Sequence, residues 1–86
     1  MNKSISKENV STHLEYILKK NFDIKDGLTE KNKNIPLTEA PFMFSSFQLY
    51  ELLMLVEENY QRYYTVGEIT ENGFSTFNDV VRLILT

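Results

Sequence analysis

The sequence contains no cysteine. A disulfide framework and a thiolate metal centre are therefore excluded, and the absence suits a reducing cytoplasm. Histidine occurs once, as His13, on the polar side of the first predicted helix. It lacks the convergent partners that a catalytic or metal role needs, so a structural or surface position is expected. No apolar run approaches the roughly 20 residues required to span a bilayer. The opening residues, Met1 to Asn9, also lack the apolar core of a signal peptide. The expectation is a soluble, cytoplasmic, monomeric chain with no membrane insertion. Basic charge is scarce and scattered, with 9 Lys and Arg against 12 Asp and Glu and a formal net charge of −3. Nucleic-acid binding needs a basic stripe to neutralise phosphates, so nucleic acid is not an expected partner. Basic protein surfaces fit better, because complementary charge speeds encounter and sets orientation.

What is present suffices for one small domain. The 86 residues are 42% hydrophobic and 24% charged, a globular rather than a disordered balance. A domain of this size buries a limited core and has little room for an enclosed active site. Neither an internal repeat nor a low-complexity tract interrupts it. No nucleophile–base pair or metal cluster is visible, and an enzyme is not expected.

Hydrophobic periodicity places helices at about residues 7–22, 46–60, 66–72 and 75–85. Val10, Leu14, Ile17, Leu18 and Phe22 follow the i, i+3, i+4 spacing of an amphipathic helix, capped by Ser4 or Ser6. Glu8 near its start and Lys19 and Lys20 near its end suit the helix dipole. From residue 23 to 44 the period lapses. Gly27, Pro36 and Pro41 break this stretch, and Ile24, Leu28, Ile35 and Leu37 are its expected apolar anchors. A loop of that length is uncommon in a compact domain and often carries function.

The strongest helical signal follows. Ser45-Ser46-Phe47-Gln48 matches a capping box, with Ser45 as N-cap and Gln48 three residues later. Leu49, Leu52, Leu53, Val56 and Tyr60 form one apolar stripe. Phe47, Tyr50, Met54 and Glu58 form an adjacent, partly apolar stripe with no obvious internal partner. A brief helix over 66–72 stops at Gly73, and Ser75 is the expected N-cap of a last helix carrying Phe77, Val80, Val81 and Ile84. A strand over 80–85 is the weaker reading of that spacing. The fold class is thus all-α, a small bundle of three main helices plus a short third helix, with a long loop between the first two.

The stretch Ser45-Ser46-Phe47-Gln48-Leu49-Tyr50-Glu51-Leu52-Leu53-Met54-Leu55-Val56-Glu57-Glu58 resembles the acyl and peptidyl carrier protein family, whose signature is Asp-Ser-Leu followed by an acidic, Leu- and Met-rich helix. Phe74-Ser75-Thr76-Phe77 resembles the opening of that family's last helix, and Asn21-Phe22-Asp23-Ile24 the end of its first. About two extra residues precede Phe74. The resemblance implies an acyl-carrier-like four-helix bundle over residues 1–86, with phosphopantetheine attached to Ser46 by a magnesium-dependent phosphopantetheinyl transferase. It further implies that an acyl or aminoacyl group is held as a thioester for fatty acid or secondary metabolite biosynthesis. Glu51, Met54, Glu57 and Glu58 fall on family positions that contact partner enzymes. The family's Asp before the serine is Ser45 here, which keeps a capping oxygen but carries no charge.

Each of these positions also has a plainer reading. Ser45 and Ser46 can serve only to cap a helix. Phe47, Tyr50 and Met54 either form a docking patch or cover the core and the long loop, and Glu51, Glu57 and Glu58 either meet basic partners or form a solvated face. Tyr60, Tyr63 and Tyr64 are expected in the core and its rim, with Tyr63 or Tyr64 a candidate lining of an acyl-chain cleft. The alternative function is an unloaded carrier-like adaptor or scaffold in a specialised biosynthetic system, such as one that matures peptides.

Overall fold

A side-chain cap opens each α-helix of the computed structural model, which describes residues 6–24 and 28–86. Ser4 and Gly27 lie outside the described residues. Among those described, the chain is all-helical, without a β-strand. Helix α1 spans Lys7–Phe22, α2 Ser46–Tyr60, α3 Val66–Asn72 and α4 Phe77–Leu85, with a 3-10 turn at Asn32–Asn34. No described helix is long and apolar enough to cross a membrane.

In α1 the Ser6 hydroxyl accepts the Asn9 N–H at 3.1 Å, satisfying one of the four donors that every helix start leaves open. Val10, Leu14, Ile17 and Leu18 are buried along one face. The helix ends at Asp23, a left-handed residue with φ 59°, a conformation that short polar side chains tolerate. Helix α2 carries the reciprocal capping box read from its sequence: Ser45 Oγ accepts the Gln48 N–H at 3.1 Å, and Gln48 Oε1 accepts the Ser45 N–H at 2.9 Å. Leu52 and Val56 are its buried residues, with Leu49, Leu53, Leu55 and Tyr60 half-buried against the core.

The last helix starts one residue later than its sequence indicates. Its N-cap is Thr76, not Ser75. With Thr76 as cap, Asp79 occupies the third helical position and closes the box, accepting the Thr76 N–H while Thr76 Oγ1 accepts the Asp79 N–H, both at 3.1 Å. Ser75 as cap would put Asn78 there instead. The backbone of Ser75 is used elsewhere, its carbonyl accepting the Leu37 N–H at 2.7 Å beside an antiparallel bridge between Pro36 and Thr76. Gly73 precedes this turn at φ 87°. A Cβ there would lie 3.0 Å from Asp79 Oδ2, so both the backbone angle and the space favour glycine.

Helix α4 is the hub of the packing, resting on α1, α3 and the 3-10 turn. Phe77, Val80, Val81, Leu83 and Ile84 are all buried. The loop between α1 and α2 is fastened more heavily than its sequence suggests. Leu37 is buried, and Ile24 and Leu28 pack half-buried against the core. Phe42 and Phe44, which no periodicity marks, are also buried, and the Phe44 ring lies 4.8 Å from that of Phe22. Between them Met43 points outward with φ 54°. Lys33 fixes the 3-10 turn, pairing with Glu15 at 3.3 Å and lying 5.2 Å from the centre of the Phe77 ring. No polar or charged residue is buried among those described.

Candidate functional site

The two serines at the head of α2 are placed differently by one residue of helix geometry. Ser45 is the N-cap, and its hydroxyl is occupied by the Gln48 N–H. Ser46 is the first helical residue, exposed, and its side chain makes no hydrogen bond to the described residues. Around it the Ser46 and Phe47 N–H groups have no intrahelical acceptor, while those of Gln48 and Leu49 are taken by Ser45, and the helix start carries the positive end of the dipole. The first turn of α2 contains no acidic residue. An anionic ester on Ser46 would therefore meet favourable backbone dipoles without a neighbouring carboxylate to repel it. Phe44 and Leu49, the residues before the cap and at the fourth helical position, are buried and half-buried. They occupy the positions of a hydrophobic staple, which fixes the angle at which the chain enters a helix.

From Ser46 a face of α2 runs away from the core. Phe47, Tyr50 and Met54 are 73%, 62% and 52% exposed. Their spacing of three and four residues aligns them in one apolar stripe, more than half of which is exposed. Glu51 and Glu58 are exposed beside the stripe. Glu57 is half-buried, and its Oε2 accepts the Tyr64 N–H at 2.9 Å. Glu57 thus already ties α2 to the segment that follows it, which leaves less of its carboxylate for a partner than Glu51 and Glu58 offer. A shallow cleft of about 390 Å³ lies along this face, lined by Glu51, Met54, Leu55, Glu57, Glu58 and Tyr63.

The tyrosines divide three ways. Tyr63 is exposed, Tyr60 half-buried and Tyr64 buried. Burial pushes the Tyr60 phenol above its usual pKa. Tyr64 is raised as well, chiefly by burial, with the Arg62 charge opposing. The hydroxyl of Tyr60 is hydrogen-bonded to His13 Nδ1 at 2.8 Å, which gives the single histidine a structural role. No group of three or more metal-binding side chains occurs among the described residues.

Arg62 is the polar residue that sequence reasoning misses. Its guanidinium donates to the Thr86 main-chain oxygen at 2.6 Å and to Glu68 Oε2 at 2.9 Å, and stacks 4.6 Å from the centre of the Tyr64 ring. Two of these partners follow Arg62 closely in the chain, whereas Thr86 is 24 residues away, and neither spacing nor motif announces that contact. No family model, curated protein or solved structure matches this chain.

Proposed function

We propose that this protein is an acyl carrier protein-like module whose Ser46 bears phosphopantetheine. The observation that carries the reading is the exposed, unengaged Ser46 hydroxyl at the first position of a 15-residue helix, beside a serine already committed to the cap. When bound, the prosthetic group supplies a thiol that holds an acyl or aminoacyl group as a thioester. Ser46 contributes the attachment oxygen, and the first turn of α2 stabilises the phosphodiester through its free N–H groups. Phe47, Tyr50, Glu51, Met54 and Glu58, with the free edge of Glu57, form the surface offered to the transferase and to acyl-transfer enzymes with basic docking surfaces. The chain acts as a cytoplasmic monomer and supplies no catalytic group of its own.

A second reading is an adaptor that is never loaded. It is favoured by the uncharged N-cap Ser45, where the resemblance calls for a carboxylate, and by an apolar stripe that needs no prosthetic group to be sticky. Intact mass after incubation with coenzyme A, magnesium and a broad-specificity phosphopantetheinyl transferase separates the two. Loading predicts a phosphopantetheine mass gain that Ser46→Ala abolishes and Ser45→Asp accelerates. An unchanged mass, under conditions that load a control carrier, supports the adaptor.

A further inference from the structure

The segment from Arg62 to Asn72 is held to the rest of the molecule in an unusual way. Helix α3 buries no residue, and Val66 at its start is 80% exposed. Its one apolar contact with the core is the half-buried Ile69. The principal anchor is Tyr64, just before the helix and 8% exposed. That anchor has a defect: the Tyr64 hydroxyl is buried without a hydrogen-bond partner among the described residues. A phenol withdrawn from water without replacement of its hydrogen bond gives back part of what its ring gains by burial.

Polar clasps supply the remainder. Arg62 reaches the Thr86 main-chain oxygen just past α4, Arg82 donates to the Asn72 carbonyl at 3.2 Å, and Glu57 accepts the Tyr64 N–H. Residues with positive φ bracket the segment, Gln61 at 52° on one side and Gly73 at 87° on the other. A stretch with few buried apolar contacts, exposed polar fastenings and turn residues at both ends belongs to the low-stability end of a fold.

We propose that residues 62–72 form a strap that opens as a unit while α1, α2 and α4 remain folded, with Arg62 as its latch and the unpaired Tyr64 hydroxyl biasing it toward opening. In the open state the phenol regains water. Because Tyr63 lines the cleft beside Met54 and Glu58, opening also removes one wall of that cleft. The strap thereby regulates the exposed face of α2, and its opening is independent of whether Ser46 is loaded.

Amide hydrogen exchange on the full chain at low urea concentrations tests this. Local opening exposes little surface, so its exchange rates depend weakly on denaturant, whereas global unfolding depends strongly. The Ile69 and Gly73 amides, which donate to the Thr65 and Ile69 carbonyls, are expected to exchange before those of Leu14 and Val80 and with little urea dependence. Tyr64→Phe removes the unpaired hydroxyl and is expected to slow them about tenfold, while Arg62→Gln removes the latch and speeds them about tenfold. Equal rates and equal urea slopes for Ile69, Gly73, Leu14 and Val80 in the wild type would overturn the strap. Faster exchange in Tyr64→Phe would overturn the role of the phenol. Both readings hold even if Arg62→Gln fails to fold.

Discussion

Residues of one type do opposite work in this protein, and burial decides which. Phe77 is fully buried at the hub of the core, whereas Phe47 is 73% exposed on α2. Truncating a buried aromatic removes its transfer energy and leaves a cavity, so Phe77→Ala is expected to cost about 3–5 kcal/mol. Phe47→Ser is expected to stay within about 0.5 kcal/mol of wild type. Urea unfolding midpoints measure both, and a large loss for Phe47→Ser would mean that the outer stripe holds the fold together rather than facing a partner. Phe77 is legible in the sequence because it falls on the apolar stripe of its helix. Helical period leaves Phe47 open between a docking patch and a cover for the core, and its exposure shows only in the folded chain. Phe42 and Phe44 are not legible in that way. They lie in a segment without a period, and only the folded loop shows that both point inward while Met43 between them points out.

At the scale of elements, caps define the boundaries more sharply than hydrophobic pattern does. Three of the four described helices open with a reciprocal box: Ser45 with Gln48, Thr65 with Glu68, and Thr76 with Asp79. The first was read from sequence because Ser45 and Gln48 precede a strong apolar stripe. At α4 two hydroxyl residues compete, and the winner is the one whose third successor is a carboxylate. Glu68 serves α3 twice, accepting the Thr65 N–H at 2.9 Å and pairing with Arg62. Its pKa is lowered, first by the Thr65 backbone hydrogen bond and then by Arg62. A carboxyl whose folded-state pKa is depressed contributes stability above its unfolded value, near 4.5, and loses it as pH falls through the folded value. Exchange at Ile69 and Gly73, corrected for intrinsic rates, is therefore expected to quicken below about pH 4.5. In Glu68→Gln that acid sensitivity should be reduced, and an undiminished response would assign it to another group.

The whole molecule places its two distinctive regions at opposite ends of α2. Phe22 against Phe44 joins the end of α1 to the approach of α2, and His13 bonded to Tyr60 joins the middle of α1 to the end of α2, so the two helices run antiparallel. Ser46 stands at one end and the Arg62 strap begins at the other, with the exposed stripe between them. The all-helical class could be read from spacing alone, whereas the exposure of the stripe shows only in the folded chain. The strap could not be read from spacing either, since Arg62 and Thr86 are 24 residues apart and meet only once α4 has packed. Cleavage after Lys33 and Arg62 yields a peptide, residues 34–62, in which Ser45 and Ser46 are the only serines. Tandem mass spectrometry of that peptide, from protein produced together with a phosphopantetheinyl transferase, tests the carrier reading most directly. The account predicts phosphopantetheine on Ser46 and none on Ser45. A peptide that stays unmodified while a co-produced control carrier is loaded, or one that bears the group on Ser45, would contradict it.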